Sequence, residues 1–362
     1  MSGRGVLSEP DRWIVASSEP RVRCMYTWDE NWLASHVEEV IEPDLPIVDP
    51  HHHLWERKGM STYLLSDLLA DTGGGHNVEA TVFMECAWGY RTDGPEHLRP
   101  VGETDTLAAD ASASRRLERA DGKPTAVIKG IVSFADMMLG NGVDEVLEAH
   151  EVAGQGLFRG IRHATAHDPD PLIRRTHTRP TPEIMAEPAF RAGVRRLAAR
   201  GHSFDAWLYH PQIPEFTALA RAVPEGTFVL DHLGGMLGVG PYEGKRADVL
   251  ARWRLDLAEL AACRNVNLTV GGIGMVIFGL GFEHQPTAPS SEQLVGAWGG
   301  PIAYAIEQFG ADRCMFESNF PVDKMSCSYV TLWNAFKRIA ANASASEKAA
   351  LFHGTATRVY RL

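Results

Sequence analysis

Three consecutive histidines follow a short apolar segment in the sequence IVDPHHH at residues 47–53. Side chains alternate between the two faces of a β-strand, so His51 and His53 would point to one face and His52 to the other. Two imidazoles on one face can hold one metal ion or one substrate group. The alternative is a surface cluster that binds metal only adventitiously.

Four later apolar segments also end in polar side chains of the kinds that bind or convert a substrate. An arginine pairs with a carboxylate through two hydrogen bonds, so Arg162 suits an acidic substrate. Glu85 could equally be a salt-bridge partner buried in the barrel mouth. Arg162 could equally form an ordinary structural ion pair. His232, which follows an apolar run and precedes two glycines, is the third histidine expected at the site. We assign these residues to substrate binding: Glu85, Arg162, His163, Tyr209 and His210.

The last apolar segment continues into the sequence FESNFPVD at residues 316–323. A general base needs a lone pair that can accept a proton from water, and the amide of Asn319 cannot do this. The candidates for the base are therefore Asp323, Glu317 or a histidine, unless the reaction needs no base in that place. We place Asn319 and Asp323 among the catalytic residues on their position alone, with Asp323 as the group that activates water.

These candidates lie at the ends of short apolar or β-branched segments that alternate with helical patterns. Eight such segments predict strands at 46–50, 79–86, 125–134, 158–163, 202–208, 226–231, 265–270 and 313–317. The spacing of apolar residues predicts helices at 104–120, 182–200, 246–262 and 329–341. This alternation predicts an α/β fold of parallel strands, and eight strands predict closure into a (β/α)8 TIM barrel. Such barrels carry their chemistry at the C-terminal ends of the strands.

Segments outside this alternation are expected to shape the catalytic face. Two stretches rich in Gly, Pro and polar residues, 88–102 and 271–300, predict long loops that overhang the C-terminal ends of the strands. Residues 1–42 are polar with scattered aromatic side chains. They predict an N-terminal extension that packs on a barrel of residues 43–362.

The composition restricts the partners of the chain. Its 362 residues, 44% of them hydrophobic, suffice for a large core, and the net charge of −11 argues against nucleic acid as a partner. Five widely spaced cysteines predict neither a disulfide framework nor a thiolate zinc site, which favours a cytoplasmic setting. No segment is apolar enough to predict a membrane span or a leader. We expect a homo-oligomer that acts on a small molecule.

Five motifs follow one another along the chain: VDPHHHLW (48–55), GIRH (160–163), LDHLG (230–234), RCMFESNFPVD (313–323) and GTATRVYRL (354–362). In this order they resemble the amidohydrolase superfamily, in the family-2 branch of TIM-barrel metal-dependent hydrolases that includes lactonases. The resemblance implies hydrolysis of a lactone or related cyclic ester of a small carboxylated or aromatic-derived substrate. It matches His51 and His53 to the family's first-strand pair, His232 to its sixth-strand histidine, and Asn319 to its last-strand aspartate position.

The same resemblance implies at most one divalent metal ion, zinc or manganese, held by His51, His53 and His232. An amide in place of the anionic ligand weakens a cation site, so the occupancy stays open. With or without an ion, the three histidines would stabilise the oxyanion that forms when water attacks the ring carbonyl. The alternatives are a metal-dependent non-oxidative decarboxylase of the same family and a catalytically inactive barrel that binds a ligand.

Overall fold

Eight parallel strands form one sheet in the computed structural model, which describes residues 26–115, 127–173 and 176–362. Each strand pairs with the next one along the chain. The strands are β1 Pro46–His52, β2 Asn77–Met84, β3 Val127–Ser133, β4 Phe158–Arg162, β5 Ser203–Ala206, β6 Thr227–Leu230, β7 Val266–Thr269 and β8 Cys314–Met315. They overlap all eight predicted segments, so the predicted (β/α)8 TIM barrel is confirmed.

The sheet closes on itself through the segment that follows β8, because β8 has only two residues. His52 forms a parallel bridge with Phe320, and His53 N donates a hydrogen bond to Phe320 O at 2.7 Å. Asn319 N donates to His51 O at 2.9 Å. The seam of the barrel is therefore made by the histidine cluster and by the residues that follow β8.

Helices cover the outside of the barrel. Among the described residues, seven α-helices connect successive strands, one precedes the first strand and three follow the last. They are α1 Glu30–Leu33, α2 Leu65–Thr72, α3 Val101–Ser114, α4 Val143–Ala153, α5 Pro188–Ala199, α6 Ile213–Ala222, α7 Arg246–Ala261, α8 Ser291–Phe309, α9 Tyr329–Ile339, α10 Ala345–Ala349 and α11 Thr355–Tyr360. The layer packs through apolar faces, and α9 for example buries Leu332, Trp333 and Phe336 in the main core. Among the described residues, no helix combines the length and the apolar character that crossing a membrane requires.

The helix predicted at 182–200 begins later, at Pro188. Glu187, the residue before the proline, has an extended backbone with φ −62° and ψ 132°. A residue that precedes proline disfavours the helical conformation, whereas proline itself suits the first position of a helix. The predicted start is therefore wrong by several residues, and the helical spacing alone could not show it.

The loop predicted for 271–300 is also too long, because α8 begins at Ser291. The hydroxyl of Ser290 accepts a hydrogen bond from Gln293 N at 3.2 Å and caps the helix. The helix then buries Leu294 and Trp298, which are four residues apart and lie on one face. Capping and burial outweigh the low helix propensity of the glycines in this segment.

Residues 26–42, here called the N-terminal arm, lie against the barrel. Glu38 Oε2 accepts a hydrogen bond from Asn334 Nδ2 at 2.9 Å. Lys337 Nζ donates to the carbonyls of Ile41 and Glu42, each at 2.8 Å. Both of these partners belong to α9. The predicted division of the chain at residue 42 stays a prediction, and residues 1–25 lie outside the described part.

Candidate functional site

The carboxylate of Glu317 lies between two of the predicted histidines, in the interior of the barrel. Glu317 Oε1 is 2.7 Å from His232 Nδ1, and Oε2 is 2.9 Å from His51 Nδ1. The centroids of the two imidazole rings are 4.5 Å apart. Burial favours the neutral acid, but the two imidazoles outweigh it and hold the pKa of Glu317 well below its ordinary value. Glu317 is therefore a buried anion that holds both rings.

The third predicted histidine, His53, is held by the backbone. Its Nδ1 is 2.8 Å from Met84 O, and its ring centroid is 5.0 Å from that of His51. His53 and His232 thus direct Nδ1 to a hydrogen-bond acceptor, which leaves the lone pair on Nε2. His51 Nδ1 lies near Glu317 Oε2 without a hydrogen bond of normal geometry. Burial lowers the pKa of His51 to about 3 and the pKa of His53 well below its ordinary value. Both rings are neutral at neutral pH.

Arg162 is a buried cation in the floor of the site. Its Nε donates a hydrogen bond to Glu85 Oε1 at 2.9 Å, and its Nη2 donates to the carbonyl of Glu85. Nη1 lies 3.2 Å from His51 Nε2 and 3.5 Å from Asp231 Oδ2. Burial lowers the pKa of Arg162, but Glu85 and Asp231 outweigh this effect and raise it. The structural ion pair that was considered for each of these residues is therefore present, and it joins Arg162 to Glu85.

One group of donor atoms among the described residues could hold a metal ion. It consists of His51, His232 and Glu317, whose ligand atoms all lie within 4.8 Å of one another. Two imidazole nitrogens and a carboxylate oxygen are a donor set that suits a divalent cation such as zinc. This close group contains Glu317 where the sequence predicted His53. The donor chemistry fits one divalent ion, and it leaves the identity of that ion open.

A cavity of about 120 Å³ opens above these groups. Its walls combine six of the predicted residues with aromatic, basic and apolar side chains from the surrounding loops. The predicted residues that line it are His53, Glu85, Arg162, Tyr209, His232 and Asn319. The side chains from the loops include those of Tyr26, Trp55, Arg57, His177, Trp207, Met275, Val276 and Ile277. A cavity of about 150 Å³ accommodates benzene, so this one has the size of a single ring.

Four of the predicted residues do not line this cavity. One of them is His51, which instead contacts Glu317 and Arg162. His163 points to the helix layer, where its Nδ1 accepts a hydrogen bond from Met137 N at 3.2 Å. His210 Nδ1 accepts from Leu237 N at 3.3 Å. Asp323 lies behind Asn319. His163 and His210 therefore lie outside this cavity, and their assignment to substrate binding stays a prediction.

Asp323 positions its neighbours and does not face the cavity. Its Oδ1 accepts a hydrogen bond from Asn319 Nδ2 at 2.8 Å, and its Oδ2 accepts from Gly274 N at 2.8 Å. Burial raises the pKa of Asp323 to about 8. Both carboxyl oxygens are engaged, so the structure offers water no direct approach to the group that the sequence suggested as the base.

Backbone geometry explains how the site residues reach their places. His232 and Asn319 have φ of 52° and 54°, in the left-handed region that few residue types adopt easily. Gly272 passes so close to the site that a Cβ atom there would lie 1.9 Å from His232 Nδ1. A Cβ atom on Gly271 would lie 2.6 Å from Cγ of Glu317. The chain after β7 therefore has no room for side chains at these two positions.

Sequence reasoning did not assign two functional candidates. Glu317 was only one of several possible bases. Residues two apart in a strand share a face, so the spacing from Met315 would have directed Glu317 into the barrel. His177 lies in the loop after β4, with its Nε2 3.3 Å from Glu85 Oε2, and it lines the cavity. Nothing in the local sequence pattern singles out His177, because its position depends on how a long loop folds back.

A family model described as "Amidohydrolase" matches residues 48–362. The chain belongs to this amidohydrolase family. It is 33% identical over 341 residues to the uncharacterized protein y4mH of Sinorhizobium fredii, covering 88% of this chain and 99% of that protein. It is 26% identical over 324 residues to an L-fucono-1,5-lactonase of Burkholderia multivorans, covering 87% and 96% of the two chains.

The fold is also found in a crystal structure of an amidohydrolase from Burkholderia multivorans with bound zinc. The two structures superpose with a TM-score of 0.66 at 24% identity, over 87% of this chain and 99% of that one. This likeness supports the barrel fold.

Proposed function

We propose that the protein hydrolyses a small single-ring lactone that carries a carboxylate. The observation on which this proposal depends is the contact of the buried Glu317 with both His51 and His232, beside the buried cation of Arg162. A carboxylate that orients an imidazole is the arrangement that activates water by general-base catalysis. The size of the cavity and the similarity to a lactonase support a cyclic ester of one ring as the substrate.

In the proposed reaction, His232 Nε2 accepts a proton from water while the water oxygen bonds to the ring carbonyl carbon. Glu317 holds the Nδ1–H of His232 and stabilises the imidazolium that forms. The tetrahedral intermediate then breaks the ring C–O bond, and the departing alkoxide takes the proton from His232. The product is a single hydroxy acid that contains all the atoms of the lactone and of the water.

The remaining polar residues of the cavity would bind and orient the substrate. Arg162 provides a fixed positive charge for the substrate carboxylate or for the developing oxyanion. His53 presents Nε2 to the cavity. Asn319 uses its amide nitrogen for Asp323, so its carbonyl oxygen is available as an acceptor. Glu85 would position Arg162, and Asp323 would position Asn319.

A divalent ion held by His51, His232 and Glu317 would supply Lewis-acid polarisation of the carbonyl group in place of the proton transfer through His232, because a nitrogen that binds the ion cannot also accept a proton. If the site is used in this way, metal analysis of the purified protein should find one divalent ion per chain, zinc or manganese. His51→Asn should reduce that content. The absence of a bound divalent ion from the parent protein would contradict the proposed metal site, while leaving the Glu317–His232 pair to be tested on its own.

The experiment that tests the reaction measures ring opening with a pH indicator on a panel of single-ring lactones. The panel includes L-fucono-1,5-lactone and a carboxylated six-membered lactone, and each ring opening releases one proton. Glu317→Gln keeps the shape of the side chain but removes the anion, so kcat should fall at least about 100-fold, as for loss of general-base catalysis. Glu292→Gln is the matched control, because that glutamate is 74% exposed on α8.

Two results would overturn the proposed function. One is a Glu317→Gln variant whose kcat stays within about threefold of the parent. The other is a parent protein that opens no lactone of the panel. Release of carbon dioxide from an aromatic acid without ring opening would identify the decarboxylase alternative.

A further inference from the structure

The N-terminal arm reaches the candidate site, although it precedes the region matched by the family model. The side chain of Tyr26 lines the cavity, and its ring centroid lies 5.4 Å from that of Trp55. Tyr26 O accepts a hydrogen bond from Ser61 N at 3.1 Å, and Trp28 N donates to Ser61 Oγ at 3.3 Å. The start of the arm is thus fixed beside the first-strand histidines.

The arm is also bonded to the loop of residues 270–290, between β7 and α8. Trp32 Nε1 donates a hydrogen bond to Gln285 O at 2.8 Å. Ala288 N donates to Ser35 Oγ at 2.9 Å. The same loop contributes Met275, Val276 and Ile277 to the cavity wall. Contacts of the arm therefore restrain a loop that bounds the cavity on another side.

A third contact joins the arm to the segment after β8. Lys324 Nζ lies 3.2 Å from Glu30 Oε1 and 3.1 Å from Asp71 Oδ2. The ammonium group also lies 5.8 Å from the ring centroid of Trp28. Lys324 follows Asp323, which holds Asn319 at the cavity. Three separate segments around the mouth are therefore tied to arm residues 26–35.

We propose that arm residues 26–35 form a wall of the substrate site and determine which substrates fit. Tyr26 is the specificity-determining residue, and Trp32 is a positioning residue for the 270–290 loop. The chemical class selected is a single-ring carboxylate, because the cavity has the volume of one ring and Arg57 and Arg162 line it. This inference rests on the proposed function only for the reaction, which is cleavage of the ring ester bond. The preference for one ring over two does not depend on it.

The first test compares the binding of benzoate and 2-naphthoate by titration calorimetry, which requires no turnover. The parent should bind the one-ring acid more tightly than the two-ring acid. Tyr26→Ala removes the wall, so the preference for benzoate should fall at least about tenfold. Val37→Ala is the control, because this arm residue is 82% exposed. The role of Tyr26 is overturned if the preference of Tyr26→Ala stays within threefold of that of the parent. It is also overturned if neither the parent nor the variant binds either acid.

The second test measures amide hydrogen exchange in residues 275–288 of the full-length protein. Trp32→Phe keeps an aromatic ring but removes the N–H that bonds to Gln285 O. Exchange in this segment should become about three- to tenfold faster, the factor that corresponds to one net hydrogen bond. Exchange equal to that of Val37→Ala overturns the positioning role of Trp32.

The two proposals can fail separately. If no lactone is opened but Tyr26→Ala changes the benzoate preference, the proposed reaction is wrong and the arm still bounds the binding site. If lactones are opened and neither variant changes binding or exchange, the reaction stands and the arm does not determine specificity.

Discussion

Gly272 gives the sharpest test of the site geometry, because one added methyl group would collide with the atom that links His232 to Glu317. A Cβ atom there would lie 1.9 Å from His232 Nδ1, whereas ordinary contacts begin at 3.4 Å. The imidazole or the loop must therefore move by about 1.5 Å in the Gly272→Ala variant, the difference between these distances. A movement of that size breaks the 2.7 Å hydrogen bond to Glu317.

Two effects should follow from Gly272→Ala. Misplacement of a catalytic group by about 1 Å costs roughly 100-fold in rate, so kcat should fall by at least that factor. The φ of 66° adds strain of about 1–2 kcal/mol for a residue with a Cβ atom, which lowers the free energy of unfolding. Lactone hydrolysis and urea unfolding would measure the two effects.

Gly281→Ala is the matched control, since Gly281 lies in the same loop with φ 70° and a Cβ atom there would meet nothing within 4 Å. Gly281→Ala should lower the free energy of unfolding without lowering kcat. If Gly272→Ala keeps the kcat of Gly281→Ala and of the parent, the contact between His232 and Glu317 does not support catalysis, and the reasoning is refuted.

Two further predictions concern charged and titrating groups. Arg162→Lys replaces the planar guanidinium, which pairs with a carboxylate through two hydrogen bonds, by a point charge. We therefore expect KM for a carboxylated lactone to rise at least about tenfold and KM for a neutral lactone to change little. Equal changes in both KM values would favour a purely structural ion pair. Burial lowers the pKa of His76 to about 3, so the unfolded chain binds the proton first as the pH falls below about 6.5. The free energy of unfolding should therefore decrease between about pH 6.5 and pH 3. Measured by urea unfolding, its loss between pH 7.5 and pH 4.5 should be smaller in His76→Gln than in the parent, by roughly 2–3 kcal/mol. The same loss in both proteins would contradict this linkage.

The strands could be predicted from the sequence because each one falls in a short apolar or β-branched segment, and these segments alternate with helical patterns. The alternation of side chains correctly gave His51 and His53 a common face. The same rule counts against His163, since it follows Arg162 directly and must point to the other side. His163 accordingly contacts the ring of Phe190 on α5, with the centroids 5.2 Å apart.

The other differences arise from contacts between distant parts of the chain. His210 begins a 3-10 turn, and its imidazole accepts a hydrogen bond from Leu237 N instead of lining the cavity. Glu317 acquires its role only when β1 and β6 bring two imidazoles to it. The place of Tyr26 in the cavity wall depends on its contacts with the loop after β1, which no local pattern in the arm indicates.

The seam of the barrel has a consequence for how this site can vary. The backbone of residue 319 closes the cylinder against β1, and its left-handed conformation admits Asn, Asp or Gly with the least strain. An exchange between amide and carboxylate at this point alters the charge facing the ligand while leaving the architecture unchanged. Bulkier or branched replacements would disturb the closure itself, so chemical diversity at this position is limited by the main chain.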